Sequence, residues 1–455
     1  MRTAIILAAG KGTRMRSNQP KVVHAILQKP MLAHVVDHLR EAQVERIIAI
    51  VGHEADKVKE CVTGVEFVYQ NEQLGTGHAV LQAEQLLGDV DGNTMVICGD
   101  TPLIYAETIE NIFNYHEAQR AKATILTAQV DNPTGYGRII RDQTEHVLGS
   151  VEEKDASPQE RLIQEINTGT YCFAIKELFW ALNQVTNDNA QGEYYLPDVL
   201  KILADADYPV RGYKTNDFEQ TLGINDRVAL ANAERIMRER INTFWMREGV
   251  TIINPDSTYI GSDVKIGSDT IIYPNTHIYG KSVIGSDVVI GPDCYIHEST
   301  IADYAYVHQS VIHDSSVGSH TSVGPYAHLR NNTAVGEHVR VGNFVEMKNT
   351  QFGSHSGSAH LAYLGDAEVG ERVNIGCGSI TVNYDGEKKH KTIIDDDVFV
   401  GCNSNLIAPI TIGAGAYIAA GSTLTDDVPD DALAIARERQ TNKLGYAEKL
   451  KPKKK

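Results

Sequence analysis

The chain changes its hydrophobic rhythm near residue 228. Before that point, short apolar runs alternate with amphipathic stretches. Ala4 to Ala9 ends in Gly10, Arg46 to Gly52 and Asn93 to Gly99 repeat the form, and Leu32 to Glu41 and His78 to Leu87 carry helical spacing. Aliphatic runs closed by glycine predict buried parallel strands, and their alternation with helices predicts the βαβ rhythm of a doubly wound α/β sheet. Ligands of such sheets gather at the carboxyl ends of the strands, the edge that here carries Gly10, Gly12 and Asp100. From Val228 to Glu248 the chain is charged, rich in Ala, Glu and Arg, and free of Pro and Gly, which predicts a connecting helix running into Gly249.

From Ile260 the period is six. Ile260, Ile266, Ile272, Ile278, Ile284, Ile290 and Ile296 recur at that spacing. Val311, Val317, Val323, Leu329, Val335, Val341 and Met347 resume it, and Val400, Leu406, Ile412, Ile418 and Leu424 hold it near the end. Six fits neither a helix nor a long flat strand. It fits one side of a three-sided coil per repeat, with the aliphatic residue inside and glycine or another small residue at the crowded corners. The pattern breaks at residues 348–363 and 380–394, and interruptions of a solenoid predict loops that often lie on a binding face.

Composition narrows the picture. The 455 residues carry 42 Lys and Arg against 59 Asp and Glu, a net charge of -17. That balance excludes broad electrostatic gripping of nucleic acid or an anionic membrane, while leaving room for a local phosphate pocket. No apolar run reaches bilayer length, and the start MRTAIILAAGKG reads as a first buried strand, not a secretory signal. Six cysteines, none in a CxxC pair, predict free thiols in a reducing, cytoplasmic setting. The basic end, LKPKKK, reads as a solubilising tail.

The glycine-rich segment Leu7-Ala-Ala-Gly-Lys-Gly-Thr-Arg-Met15 follows the first strand. It has neither Walker A nor GxGxxG spacing. Amides around Gly10 and Gly12 suit an anion nest, with Arg14 and Lys21 placed to offset phosphate charge. The segment resembles the opening signature of the sugar-1-phosphate nucleotidyltransferases, which continues to Pro20-Lys21. Further motifs follow in order: Gln73-Leu-Gly-Thr-Gly77, Gly99-Asp100, Gly135-Tyr-Gly137, Glu152, Glu165-Ile-Asn-Thr-Gly169 and Gly223-Ile-Asn225. Over nearly its whole length the chain is similar to the bacterial bifunctional N-acetylglucosamine-1-phosphate uridylyltransferase and glucosamine-1-phosphate N-acetyltransferase family.

That resemblance implies a Rossmann-like nucleotidyltransferase domain (1–227), a connecting helix (228–248), a left-handed parallel β-helix acetyltransferase domain (249–437) and a tail (438–455). It implies that Leu7, Ala8, Ala9, Gly10, Gly12, Arg14, Lys21, Gln70, Gln73, Gly75 and Thr76 hold the uracil and phosphates of UTP. Gly137, Glu152, Asn167 and Asn225 then hold the amino sugar and neighbouring groups, and Asp100 with Asn225 ligates magnesium. His360 is implied as the general base of acetyl transfer, a task that suits an imidazole titrating near neutrality. Arg330, Lys348, Tyr363 and Asn374 are implied around glucosamine 1-phosphate, with Glu346 a candidate for orienting the histidine. Asn383, Tyr384, Cys402, Ala420 and Arg437 are implied beside acetyl-CoA. The family also implies a homotrimer whose acetyltransferase sites are shared between neighbours.

Three departures stand out. Asn331 follows Arg330 where the family often has proline, Gly357 stands where a lysine is common, and Cys402 stands where serine is frequent. Gly357 and Asn331 leave open a uridylyltransferase whose solenoid is only an assembly platform, while Cys402 predicts a coenzyme A side sensitive to thiol-blocking reagents. A non-catalytic scaffold is a weaker alternative, set against the joint presence of Arg14, Lys21, Asp100 and Asn225. A general glucose-1-phosphate nucleotidyltransferase does not predict the segment Asn343 to Lys348, His360 and Asn383-Tyr-Asp385 together.

Overall fold

The computed structural model describes residues 1–452; Lys453, Lys454 and Lys455 of the basic tail lie outside the described residues. The chain forms two compact units, Met1–Met237 and a second beginning at Arg238. The division falls inside one helix, Arg227–Arg247.

The first unit is built on a mixed sheet. Its strands lie in the order Val210–Thr215, Ala123–Gln129, Glu165–Ala174, Asn93–Cys98, Arg2–Leu7, Arg46–Val51 and Glu66–Tyr69. The three apolar runs read from the sequence pair in parallel. Glu165–Ala174 runs antiparallel to both neighbours, so the sheet is not the wholly parallel one that the βαβ rhythm suggests. Alternate side chains enter opposite cores. Ile5, Ile48, Ile50 and Val96 face one, with Leu178 and Leu200. Ala4, Ile6, Ala49 and Ile97 face the other, with Leu32, Val35 and Phe113. Burial on both faces is why these strands contain almost no polar residue. The expected helix over His78 to Leu87 is two short ones, Thr76–Leu81 and Glu84–Leu87.

His116 is sealed in this unit. Its Nδ1 meets Thr124 Oγ1 at 2.9 Å, its Nε2 is buried without a partner, and burial lowers its pKa from 6.5 to about 4. Between those values the unfolded chain binds a proton that the folded chain refuses, so stability falls as pH drops from 6.5 toward 4. Thermal unfolding of His116→Gln, which keeps a partner for Thr124, is expected to lose less stability over that interval than the unaltered protein.

The second unit is a three-sided parallel coil. Tyr259–Ile260 pairs with His277–Tyr279, that strand with Tyr295–His297, and that with Val311–His313, while two further ladders climb the other sides in the same way. The hexad aliphatics point inward: Ile260, Ile272, Ile278, Ile290, Ile296, Leu329, Val341, Met347, Val400, Ile412 and Ile418 all lie in one continuous core. Val311 is the exception. It is 38% exposed, and Ile312 fills the core in its place, because the coil from Ile296 to Ile312 is two residues short of eighteen and the next core position, Val317, comes five residues later instead of six. Glycines after the aliphatics stand where coils touch. A Cβ on Gly267 lies 2.6 Å from the carbonyl carbon of Gly285 on the next coil. At one corner, residues in the left-handed region stack as Tyr304, His320, His338 and His355, with ring centroids 4.8, 4.8 and 5.0 Å apart.

Residues 348–363 do not leave the coil. Arg340–Lys348 and Gly357–Gly365 are long strands paired in register, from Arg340 opposite Gly357 to Lys348 opposite Gly365. The polar stretch is a coil, with Phe352 in the core and most of the other side chains on its surface. Residues 383–391 do form an outlying loop, and Asp385 pins it by accepting from the backbone N–H groups of Glu387 and Lys388, each at 2.7 Å, and from His390 Nε2 at 2.7 Å.

Candidate active sites

In the first unit the site forms where Arg2–Leu7, Arg46–Val51 and Asn93–Cys98 end. The Ala8 N–H donates to Ile50 O at 2.9 Å, and Gln73 Nε2 donates to Ala9 O at 2.6 Å, which fixes the entry to the glycine-rich turn. A cavity of about 280 Å³ lies there. Leu7, Ala8, Ala9, Gly10, Lys21, Gln70, Gln73, Gly75, Thr76 and Asp100 line it, with Val22, Ala79, Cys98 and Glu193, which the sequence reading had not singled out. Cys98 is inert there, since burial, aided by Asp100, pushes its thiol up to about 12.

Gly75 is fixed by geometry. Its φ is +116°, and a Cβ there lies 2.5 Å from the carbonyl oxygen of Tyr194. Gly75→Ala is therefore expected to displace the cavity wall and raise KM for UTP about tenfold in steady-state kinetics, the scale of one strained backbone position.

Gly12, Arg14 and Asn225 lie outside the cavity lining but meet it through Lys21. The Lys21 ammonium forms an ion pair with Asp100 and donates to Asn225 Oδ1 at 3.0 Å, and Arg14 donates to the same oxygen at 2.8 Å. Gly12 has room for nothing larger, because a Cβ lies 2.6 Å from Lys21 Cβ. Asp100 and Asn225 are neighbours through the backbone as well, since Ile224 N–H donates to Asp100 O at 2.9 Å. A carboxylate and an amide oxygen thus converge on one cationic point, and hard oxygen donors of this kind fit a magnesium ion that takes its remaining ligands from phosphate and water.

A second cavity of about 220 Å³ shares Leu7, Thr76 and Cys98 with the first and adds Gly137, Glu152 and Asn167, with Tyr136, Thr168, Gly169 and Leu196. Glu165–Ala174 bulges between Asn167 and Tyr171, with Gly169 at φ +81°. The bulge aims the Asn167 amide, which donates to Tyr171 Oη at 2.8 Å and to Ser150 Oγ at 3.2 Å. Burial, with Asp155 and Asp198 nearby, raises the pKa of Glu152. A half-buried carboxyl beside a buried amide suits a polyhydroxylated ligand rather than another phosphate.

In the second unit, His360 is exposed on Gly357–Gly365 and stands in register with Asn343 on the preceding coil. Its Nδ1 meets Asn343 Oδ1 at 2.6 Å. The amide oxygen only accepts, so Nδ1 carries the hydrogen and Nε2 presents a lone pair. Asn343, not Glu346, orients the histidine. Glu346 accepts from Arg330 Nη2 at 2.6 Å and Nε at 2.9 Å, three residues further along the strand. The coil-to-coil spacing of 17 residues carries the signal for Asn343, once the register is known.

Behind the histidine, Asp366 accepts from Asn349 at 2.6 Å and Asn383 at 2.5 Å, and Lys348 lies at 3.6 Å. Burial opposes the charge on Asp366, but those amides, Lys348 and Lys389 outweigh it and hold its pKa below the usual range. Lys389, from the outlying loop, stands against Lys348, whose ammonium lowers its pKa. Two adjacent ammonium groups favour an anion nearby, and Lys389 carries no periodic signal because it lies on a loop. Tyr363 and Asn383 both crowd Gly365, where a Cβ lies 2.5 Å from Tyr363 Oη and 2.8 Å from Asn383 Nδ2. Asn374 lies in register with Gly357 on the same face. Tyr384 is exposed and donates to Gly386 O at 2.6 Å. Cys402 is exposed, and the nearest Arg437 atom, Cδ, lies 3.7 Å from a Cβ built on Gly421, one residue after Ala420.

One departure has a structural explanation and a second has none. Asn331 has φ +55°, which the locked ring of proline cannot adopt. Gly357 faces open space, its only near neighbour being Arg340 O at 4.0 Å, so no clash dictates the loss of a lysine there.

Three family models match: nucleotidyl transferase over residues 3–246, the GMPPB C-terminal domain over 249–356, and the bacterial transferase hexapeptide over 391–426. Among characterised relatives, the bifunctional protein GlmU of Halalkalibacterium halodurans is 56% identical over 98% of this chain and 99% of that one. GlmU of a Geobacillus species is 56% identical over 100% and 99%. GlmU of an Exiguobacterium species is 58% identical over 98% and 100%.

Proposed function

The chain belongs to the family of bifunctional GlmU proteins, a Rossmann-like nucleotidyltransferase joined to a left-handed β-helix, and from that premise we propose how its residues divide two reactions. The enzyme acetylates glucosamine 1-phosphate from acetyl-CoA, and it uridylates N-acetylglucosamine 1-phosphate from UTP, releasing pyrophosphate. What carries the assignment of residues is the convergence of segments distant in sequence, Leu7–Gly10, Lys21, Gln70–Thr76 and Asp100, on one cavity.

In uridylyl transfer, a phosphate oxygen of the sugar attacks the α-phosphorus of UTP and the bond to pyrophosphate breaks. Positioning and charge suffice, so no protein nucleophile takes part. The glycine-rich turn with Gln70, Gln73 and Thr76 holds the uridine end, and Glu152, Asn167 and Gly137 hold the sugar. Asp100 and Asn225 would hold magnesium, which when bound offsets charge on the phosphate oxygens. Lys21 and Arg14 steady the departing pyrophosphate.

In acetyl transfer, the glucosamine nitrogen attacks the thioester carbonyl. His360 Nε2 takes the proton lost by the amine, and Asn343 holds the ring for that task. Lys348, Lys389 and Arg330 bind the phosphate, Tyr363 and Asn374 the sugar, and Asn383, Tyr384, Cys402, Ala420 and Arg437 the acetyl donor. Membership of the GlmU family supports a homotrimer with shared sites, and an outward ladder of Phe399, Tyr417 and Leu433, 38%, 49% and 61% exposed and in register on three coils, offers an apolar strip to a neighbouring copy.

The test uses the full chain. Acetyl-CoA with glucosamine 1-phosphate is expected to release CoA thiol without added metal. UTP with N-acetylglucosamine 1-phosphate is expected to release pyrophosphate only when magnesium is added. Absence of thiol release would leave a uridylyltransferase with a structural solenoid.

A further inference from the structure

Two cysteines of the β-helix occupy equivalent places on adjacent coils. Asn374 and Ile375 pair with Phe399 and Val400, and two residues further along the same register sets Cys377 beside Cys402. The backbone confirms the match at that point, where Asn403 N–H donates to Cys377 O at 2.7 Å. In-register neighbours stand one strand spacing apart, about 4.8 Å, inside the range of Cα separations that a disulfide spans. Both are free thiols, Cys402 exposed and Cys377 half-buried. Cys172 and Cys294 are buried, and burial pushes up the pKa values of Cys61, Cys98, Cys172 and Cys294.

The ladder continues to the base. Gly357 and Ser358 pair with Asn374 and Ile375, which puts His360 beside Cys377, and Gly378 N–H donates to Leu361 O at 2.6 Å one residue on. Asn343, His360, Cys377, Cys402 and Ala420 thus form one column. Its imidazole has an unoccupied Nε2, able to take a thiol proton.

We propose that Cys377 and Cys402 are a paired thiol site for the disulfide of coenzyme A, through which oxidation shuts acetyl transfer alone. The proposal rests on the reading that acetyl-CoA binds along this column, because only then does the CoA moiety bring its disulfide to the thiols. Cys402 sulfur attacks the CoA disulfide, forming a Cys402–CoA bond as the original sulfur–sulfur bond breaks and one CoA thiolate leaves. Cys377 sulfur then attacks Cys402 sulfur, the protein disulfide forms and the second CoA leaves. Two protein thiols are oxidised, one CoA disulfide is reduced to two CoA thiols, and the two thiol protons go to the two leaving groups. A bond across the column ties the exposed Cys402 side chain down onto Cys377 beside His360 and alters the surface that the acetyl donor needs.

The full-length enzyme is treated with CoA disulfide or, in parallel, with oxidised glutathione, then mapped by peptide mass and assayed for both activities. The expected result is a Cys377–Cys402 cross-linked peptide that forms faster with CoA disulfide. Acetyl transfer is expected to fall about tenfold or more and to recover with dithiothreitol, and pyrophosphate release from UTP to be unchanged. Cys377→Ala, compared with its own untreated rate, should hold CoA on Cys402 as a stable mixed disulfide. Absence of the cross-linked peptide, or equal inhibition of the Cys377→Ala Cys402→Ser protein, would overturn the proposal. Equal rates with the two disulfides would overturn recognition of CoA. An untreated enzyme that releases no thiol from acetyl-CoA refutes instead the acetyl-donor reading, a failure seen before any oxidant is added.

Discussion

Asp100→Ala is expected to lower uridylyl transfer by about 10²–10³-fold, the cost of losing one preorganised charge stabiliser, while acetyl transfer keeps its unaltered rate. The carboxylate stands just past the strand Asn93–Cys98, only 8% exposed. Gly99 lets it get there, since a Cβ on that residue lies 3.1 Å from Val22 and 3.4 Å from Ile6 and Leu32. Removing the carboxylate leaves the Lys21 ammonium with Asn225 as its remaining partner and leaves the cation point with a single oxygen. Lys21 stands at that point; Asp100 and Asn225 would hold magnesium there, and the Lys21 ammonium would then be free to turn toward phosphate. Asp100→Asn keeps the shape without the charge and is expected to lose nearly as much. Pyrophosphate release and CoA thiol release measured on one preparation separate this from misfolding. A parallel fall in both would count against the assignment.

His360→Ala gives the second large effect. Acetyl transfer is expected to fall about 10²–10⁴-fold, the usual contribution of a general base, and uridylyl transfer to stay unchanged. The loss should appear in kcat more than in KM for acetyl-CoA, because the imidazole acts on a proton that moves only as the carbon–nitrogen bond forms. The geometry that supports this is local. Asn343 takes the Nδ1 hydrogen and leaves Nε2 bare, so Asn343→Ala should lower the same rate by a smaller factor while sparing its partner reaction. A His360→Ala protein that releases CoA thiol at the unaltered rate would move the base elsewhere on the column.

Much of this was legible in the sequence because it follows from period. Six-residue spacing put Ile260, Ile272, Ile278 and Ile290 inside the coil, where all four are fully buried. Glycine-closed apolar runs placed Gly10 and Asp100 at one sheet edge. What was not legible depends on register between segments. The exchange of Val311 for Ile312 follows from a five-residue step between the inward positions Ile312 and Val317. Residues 348–363 looked like a loop because surface positions of a long strand are polar. Glu346 is the partner that the resemblance implies for His360, but the register sets Glu346 opposite Tyr363 and brings Asn343, 17 residues before the histidine, opposite it. Lys389 lies on a loop, where no repeat predicts position. The antiparallel course of Glu165–Ala174 was hidden because direction leaves no mark on a buried strand's composition.

The stacked coils also have a mechanical meaning. Each coil rests only on the one before and the one after, so resistance to unravelling is assembled link by link rather than held in a single knot of side chains. The last rung, Leu433–Ala434, pairs with a coil on one side only among the described residues, whereas Val341 and Met347 are closed off completely. Fraying therefore starts at the C-terminal coils, nearest Arg437, and must travel inward past Ala420 and Cys402 before it reaches Cys377 and His360. The acetyl-transfer column is anchored at its histidine end and loosest at the end assigned to coenzyme A.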